Sequence, residues 1–328
     1  MKRTTHLTAA ETAAWLKERD DFLILTHRRP DGDTLGSAAG LCAGLRKIGK
    51  RAYVLANPET TKRYQCLTAA FNPESPAPDT DWTVITVDTA SKNMLAANAA
   101  QYAACVDLCI DHHASNTEYA AYSCVDSSSA ACGEIVYNIL SELLGTAQIP
   151  TAAADALYVA LSTDTGCFAY ANVTSETLTI AGQLVALGAN HKAINKELFR
   201  TKSRARIALD GALYSDLRYA ADGQLAMAII PQVLLVQTGA TEDDLDDIAA
   251  LPGQIAGVRI GITVREIRAG GCKISVRTSG GMDANVFCQK FGGGGHPLAA
   301  GCFVNAAPEA AAVALMDAAT AALETSAL

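Results

Sequence analysis

The sequence predicts an α/β protein with an N-terminal doubly wound, mostly parallel sheet and a smaller second α/β domain. Three observations predict it. Strand-length apolar runs alternate with helix-forming stretches from Phe22 to Leu198, the pattern of a parallel sheet covered by helices. Beyond a basic stretch at residues 200–206 the pattern changes to hairpins, with Asp222-Gly223 and Ala269-Gly-Gly271 as turns. The 328 residues suit two domains on a prior of roughly 100–200 residues each. The expected boundaries are 1–199 for the first domain, 200–206 for a linker and 207–328 for the second.

The elements follow in order. Thr8-x-x-Glu11 is a capping box, so a helix should run to about residue 19. Residues 22–26 read as a buried strand that ends in a polar loop, 27–33. A helix follows over about 35–48, stopped by Gly49, and then a strand at 52–55. Residues 60–71 read as helix, and Pro73, Pro76 and Pro78 mark a surface loop. Strands at 82–87 and 106–110 flank an alanine-rich helix at about 92–104, and each strand is followed by an aspartate, Asp88 and Asp111. A strand at 119–125 precedes helices at about 129–144, with Gly145 past the end, and 151–162. Helices at about 175–187 and 191–198 close the first domain. In the second, a hairpin pairs 257–267 with 272–278, and helices are expected near 242–250, 284–291 and 308–324.

Half of the chain is hydrophobic, enough for a core in each domain. No apolar run approaches the roughly 20 residues of a membrane span, and the N-terminal segment reads as a charged helix rather than a secretory leader. Ten cysteines without a Cys-x-x-Cys pair read as reduced core thiols in a cytoplasmic protein. The net charge of −8 opposes tight binding to long nucleic acid, which needs many Lys/Arg–phosphate contacts. It leaves small anionic substrates open, because metal ions and a local basic patch can reverse the field in one cleft.

Ligands of open α/β sheets bind beyond the carboxyl ends of the strands. Four segments there carry the same residue types: His27-Arg-Arg-Pro-Asp31-Gly-Asp33, Asp88, Asp111-His112-His113 and Asp164. Each alone has an ordinary reading as a turn former or helix cap. Together, converging carboxylates repel one another unless cations fill the space between them. A His/Asp set without cysteine suits Mn²⁺, with Mg²⁺ as an alternative and Zn²⁺ and Fe²⁺ still open. Six or seven such ligands suffice for two divalent cations.

The order His27-x-x-x-Asp31-x-Asp33, Asp88, Asp111-His112-His113 and Ser162-Thr-Asp164-Thr-Gly166 resembles the DHH phosphoesterases. The segment Phe291-Gly-Gly-Gly-Gly-His296-Pro-Leu-Ala-Ala-Gly301 resembles their nucleotide-binding DHHA1 domain. The resemblance spans about residues 20–305, and length and motif order are most similar to the bacterial nanoRNase/pAp-phosphatase group. It implies an active-site cleft between the domains. It further implies that His27, Asp31 and Asp88 hold one metal ion and Asp33, Asp88, His112 and Asp164 the other, with Asp88 bridging. Hydroxide between the ions would attack phosphorus, His113 would face the phosphate, and Asp111 would orient the histidines. Arg277, Thr278, Gly293, Gly294, Gly295 and His296 would grip the substrate; consecutive glycine amides also form a natural anion nest. The chain departs from the family pattern at Phe168-Ala169-Tyr170, where related sequences often carry arginine, and at Arg277-Thr278, where they often carry Arg-Ser.

The activity implied is hydrolysis of short oligoribonucleotides and of the 3′-phosphate of pAp, on short RNA or mono- and dinucleotides and not on long duplexes. Dimerisation is implied by the resemblance alone. A cyclic di-AMP or pApA phosphodiesterase is the nearest alternative, since the same metals would serve. Inorganic pyrophosphatase is disfavoured because that branch resembles a different C-terminal domain. A non-catalytic nucleotide sensor is disfavoured because every expected ligand position is filled.

Overall fold

A computed structural model describes residues 4–72, 81–245 and 247–325. The loop expected at Pro73, Pro76 and Pro78 lies outside the described residues. The chain divides into two compact units, Met1–Thr201 and Lys202–Leu328.

The first unit is built on a six-stranded sheet of order β1-β6-β5-β4-β2-β3, and every pairing in it is parallel. Its strands are β1 (Thr5–His6), β2 (Phe22–Leu25), β3 (Ala52–Val54), β4 (Thr83–Val87), β5 (Leu108–Asp111) and β6 (Tyr122–Val125). The central strands are covered on both faces, so their continuous apolar runs, such as Phe22-Leu-Ile-Leu25, are wholly buried. The helices are α1 (Ala9–Lys17), α2 (Gly32–Lys47), α3 (Gln65–Thr68), α4 (Cys132–Leu144), α5 (Thr151–Asp164), α6 (Ser175–Ala186) and α7 (His191–Phe199). The Thr8/Glu11 capping box opens α1, and Gly49 and Gly145, at φ +79° and +82°, stop α2 and α4.

Glycine lets α2 lie close against its neighbours. Gly32, Gly36, Gly40 and Gly44 recur every fourth residue, on one face of the helix. A Cβ at Gly36 would stand 2.4 Å from the Ala156 carbonyl oxygen of α5. At Gly32 it would meet the Thr163 hydroxyl at 2.4 Å, at Gly40 the Leu157 side chain, and at Gly44 Leu140 of α4. The helices run antiparallel, so this close approach brings the start of α2 beside the end of α5.

The second unit has a mixed six-stranded sheet of order β11-β12-β10-β9-β8-β7. Its elements are α8 (Arg204–Ser215), β7 (Arg218–Ala220), β8 (Leu225–Ile230), α9 (Gln232–Thr238), β9 (Ile260–Glu266), β10 (Cys272–Thr278), α10 (Ala284–Gln289), β11 (Gly294–His296), β12 (Ala299–Val304) and α11 (Pro308–Thr325). The hairpin turn forms with Asp222 at φ 51° and joins antiparallel β7 and β8. Strands β8 and β9 pair in parallel, and β9 and β10 form the expected hairpin.

Several local expectations differ. Residues 92–104 form 3₁₀ turns at Lys92–Met94 and Ala97–Tyr102 instead of an α-helix. Ala96, Ala99 and Tyr102, which turn inward beside Leu95 and Ala103, recur every third residue, the 3₁₀ period. Residues 60–71 contain only α3 and a short 3₁₀ turn, and the helix expected at 242–250 is a pair of 3₁₀ turns. The stretch read as linker, 200–206, runs into α8. Ser203 caps that helix through the Arg206 amide, 2.9 Å, and Lys202 and Arg206 pair with the buried Asp210 at 2.8 and 2.7 Å. Its basic residues serve the start of a helix. The ten cysteines form no disulfide, and among the described residues no helix is long and apolar enough to cross a membrane.

The glycine face makes a prediction. Gly36→Ala should lower unfolding stability by about 1–3 kcal/mol through overpacking. Gly182→Ala, in the open interior of α6 with nothing near the added Cβ, should raise it by about 0.5–1 kcal/mol. Urea midpoints of the two variants measure this, and equal midpoints would contradict the packing account.

Candidate active site

The parallel sheet sends all its strands' carboxyl ends to one edge, and the expected ligands gather there. His27 lies two residues past β2, Asp88 directly follows β4, and Asp111 ends β5 with His112 and His113 next in the chain. Asp31 is the N-cap of α2, its Oδ1 accepting the Asp33 and Thr34 amides at 3.1 Å each, and Asp33 lies in the first turn. Asp164 is the last residue of α5. The glycine contacts between α2 and α5 therefore place Asp33 beside Asp164.

Asp88 stands at the centre. Its backbone is left-handed, φ 51°, a conformation aspartate tolerates better than most residues, and its amide donates to the Ile110 carbonyl at 2.9 Å. Its Oδ2 lies 3.3 Å from His27 Nε2, and its Oδ1 lies 3.4 Å from His112 Nε2 and 3.6 Å from His113 Nδ1. His27 Nε2 is also 3.7 Å from Asp31, and His112 Nε2 is 3.6 Å from Asp164 and 3.7 Å from Asp33. Both imidazoles are fixed from behind. His27 Nδ1 lies 2.9 Å from the Arg28 carbonyl and His112 Nδ1 3.2 Å from that of Ser129, so in the neutral form of either ring Nε2 is the lone-pair nitrogen, and it faces the aspartates.

Asp33 is held differently. It is almost fully buried, and it accepts the Cys132 and Gly133 amides at the start of α4, 2.7 and 3.0 Å, together with the Ser37 hydroxyl at 3.1 Å. A helix N-terminus favours an anion there. Even so, burial and the charges of Asp88 and Asp164 push the Asp33 carboxyl well above its ordinary value. Burial and the charges of Asp31 and Asp88 likewise raise Asp164 to about 7, against the pull of His112. Burial alone would lower the histidines, but contacts with Asp31 and Asp88 hold His27 at about 11, and Asp88, Asp33 and Asp164 hold His112 at about 10.

The donor set fits divalent metal. Asp88 Oδ1 is buried and accepts no hydrogen bond, an expensive state for a carboxylate oxygen unless a cation meets it. Two groups each offer ligand atoms within 4.8 Å of one another, His27/Asp31/Asp88 and Asp33/His112/Asp164, and a third joins Asp88 to His112 and His113. All donors are carboxylate oxygens and imidazole nitrogens, which suits Mn²⁺ or Mg²⁺ better than thiolate-seeking ions.

Asp111 stands apart from that set, and it ties down His113 of the third group. Asp111 is wholly buried, and its Oδ1 accepts His113 Nδ1 at 2.8 Å and the His112 amide at 2.9 Å. Its Oδ2 accepts Asn116 Nδ2 at 2.6 Å. Both oxygens are occupied by protein donors. His113 Nδ1 is likewise engaged, leaving Nε2 as its open nitrogen.

The residues expected to hold substrate all lie in the second unit. Arg277, Ala299 and His296 are in register across β10, β12 and β11, so Arg277 and His296 share one face of that sheet. The Thr278 hydroxyl donates to the Pro297 carbonyl at 2.8 Å. The glycine run is not the open anion nest expected. The amides of Gly292, Gly293 and Gly295 donate to Gln289, Cys288 and Asn285 Oδ1 at 3.1, 2.9 and 3.0 Å. Glycine is needed there for close approach: a Cβ at Gly293 would stand 2.2 Å from the Gly301 oxygen, and one at Gly295 2.7 Å from the Ala299 oxygen.

Sequence reasoning missed Asn116, Ser37 and the paired amides of Cys132 and Gly133. Asn116 left one weak signal, an Asn two residues before Glu118 in a polar turn; the others act through the backbone or a helix face and left none.

Two family models match the chain: the DHH family, N-terminal domain, over residues 21–161, and the DHHA1 domain over residues 223–324. A bifunctional oligoribonuclease and PAP phosphatase, NrnA, from Thermus thermophilus is 32% identical over 282 residues, 85% of this chain and 82% of that protein. The protein of the same name from Bacillus subtilis is 27% identical, covering 89% and 91% of the two chains. The crystal structure of an exopolyphosphatase-related protein from Bacteroides fragilis shares the fold at a TM-score of 0.85 and 21% identity, covering 97% and 96% of the two chains. On its two matched domains and its identity to these relatives, the chain belongs to the DHH family and carries a DHHA1 domain after the DHH domain.

Proposed function

We propose that this hydrolase cleaves short oligoribonucleotides and removes the 3′-phosphate of pAp, using two divalent cations at the edge of the parallel sheet. The observation that carries the reading is Asp88, with one oxygen facing His27 and the other, lacking any hydrogen-bond donor, facing His112. A carboxylate placed between two imidazoles in this way could serve an ion on either side. His27, Asp31 and Asp88 would hold one cation, and Asp33, Asp88, His112 and Asp164 the other. The mixed oxygen and nitrogen donors favour Mn²⁺, with Mg²⁺ second.

When bound, such a pair supplies a water of lowered pKa and positive charge beside the phosphate oxygens. The chain's own residues do the rest. Asp111 fixes the His113 ring, and His113 Nε2 would face the phosphate. Arg277, Thr278, Gly293, Gly294, Gly295 and His296 would hold the substrate's terminal phosphate or base, with Arg277 suited to bidentate contact. The substrate class is supported by the names of the Thermus and Bacillus relatives and by the net charge of −8, which disfavours long strands.

Two measurements test this. Asp88→Ala should remain folded and lose metal-dependent turnover by about 10²–10³-fold or more; near-native turnover would remove the bridging role. With Mn²⁺, end-labelled RNAs of two to about twenty-four nucleotides should be compared with pAp, pApA, cyclic di-AMP and pyrophosphate. The shortest RNAs and pAp should react fastest, and dominant hydrolysis of cyclic di-AMP or pyrophosphate would overturn the substrate assignment.

A further inference from the structure

We propose that Asn116 is a positioning residue that clamps Asp111, so that His113 keeps its proton on Nδ1 and leaves Nε2 for the substrate. The substrate half of this statement rests on the function proposed above; the clamp itself does not.

The geometry is closed on every side. Asp111 is wholly buried and its Oδ1 serves two donors, His113 Nδ1 and the His112 amide. Asn116 is the donor to its other oxygen, at 2.6 Å. Without that amide, Oδ2 would be a buried carboxylate oxygen short of a partner, and rotation of the carboxylate would be opposed by less. Asn116 cannot reverse its own amide without loss. Its Oδ1 accepts the Glu118 amide at 2.8 Å, so a flip would set oxygen against oxygen at Asp111. The surrounding turn is pinned as well: the Asn116 amide donates to the His113 carbonyl at 3.1 Å, and the Thr117 amide to Ala90 at 2.9 Å.

The clamp matters because His113 has a second suitor. Its Nδ1 lies 2.8 Å from Asp111 but also 3.6 Å from Asp88 Oδ1, the orphan oxygen of the cluster. A loosened Asp111 would let the ring turn toward Asp88 and occupy the oxygen the cations need. Asn116 thus holds His113 out of the ligand set while keeping it beside it.

The test separates this role from shaping the turn. Asn116→Asp keeps an oxygen for the Glu118 amide but replaces the Nδ2 donor with a second carboxylate oxygen. Long-range ¹H–¹⁵N correlation spectra of histidine-labelled full-length protein report the tautomer of each of the six histidines, with His113→Gln identifying the signal. The wild type should show a single Nδ1–H form at His113. Asn116→Asp and Asn116→Ala should both lose it, and kcat on a dinucleotide should fall about 10–100-fold with KM little changed. A wild-type tautomer and kcat in Asn116→Asp would overturn the clamp and leave Asn116 as a turn former. If Asn116→Ala unfolds, Asn116→Asp carries the test alone. If the wild type cleaves none of the substrates, the proposed function fails, and the tautomer still decides the clamp.

Discussion

Carboxylates gathered at one end of a sheet repel one another, and a buried site screens that repulsion poorly. Asp31, Asp33, Asp88 and Asp164 are held this way around two imidazoles. Contacts with the aspartates hold His27 and His112 charged above neutrality, and burial beside neighbouring carboxylates pushes Asp33 and Asp164 toward the neutral acid. A cluster that stabilises so much positive charge is one that divalent cations can enter by displacing protons. The rest of the first unit can be understood as the means of keeping these groups together.

Three devices do this. The parallel sheet delivers His27, Asp88 and the Asp111-His112-His113 run to the same edge. The glycine face of α2 lets that helix approach α5 closely enough to bring Asp33 next to Asp164. Backbone and polar groups then fix each side chain from behind: carbonyls of Arg28 and Ser129 on the histidines, the start of α4 on Asp33, and Asn116 on Asp111. Asp88 keeps a buried oxygen that no hydrogen bond matches, and it faces both His27 and His112.

The sequence made the chemistry more legible than the scaffold beneath it. Strand ends marked by Asp88 and Asp111, and the His27-x-x-x-Asp31-x-Asp33 spacing, mark residues that the fold brings together, because metal chemistry would restrict the residue types there. The glycine spacing on α2 was present but reads as ordinary helix until α5 is seen against it. Asn116 works through one hydrogen bond to a residue five positions away, which no periodicity encodes. The basic stretch 200–206 and the glycine run 292–295 each look like surface chemistry in one dimension. In the folded chain Lys202 and Arg206 are taken by Asp210, and three of the glycine amides are already bonded.

On this reading the two oxygens of Asp88 would join two cations. Anomalous diffraction from manganese-soaked crystals measures this directly. Two peaks about 3.5–4 Å apart, one on each side of Asp88 and each also contacting one of His27 or His112, are the predicted result. A single peak, or a pair that leaves Asp88 uncoordinated, would contradict the account.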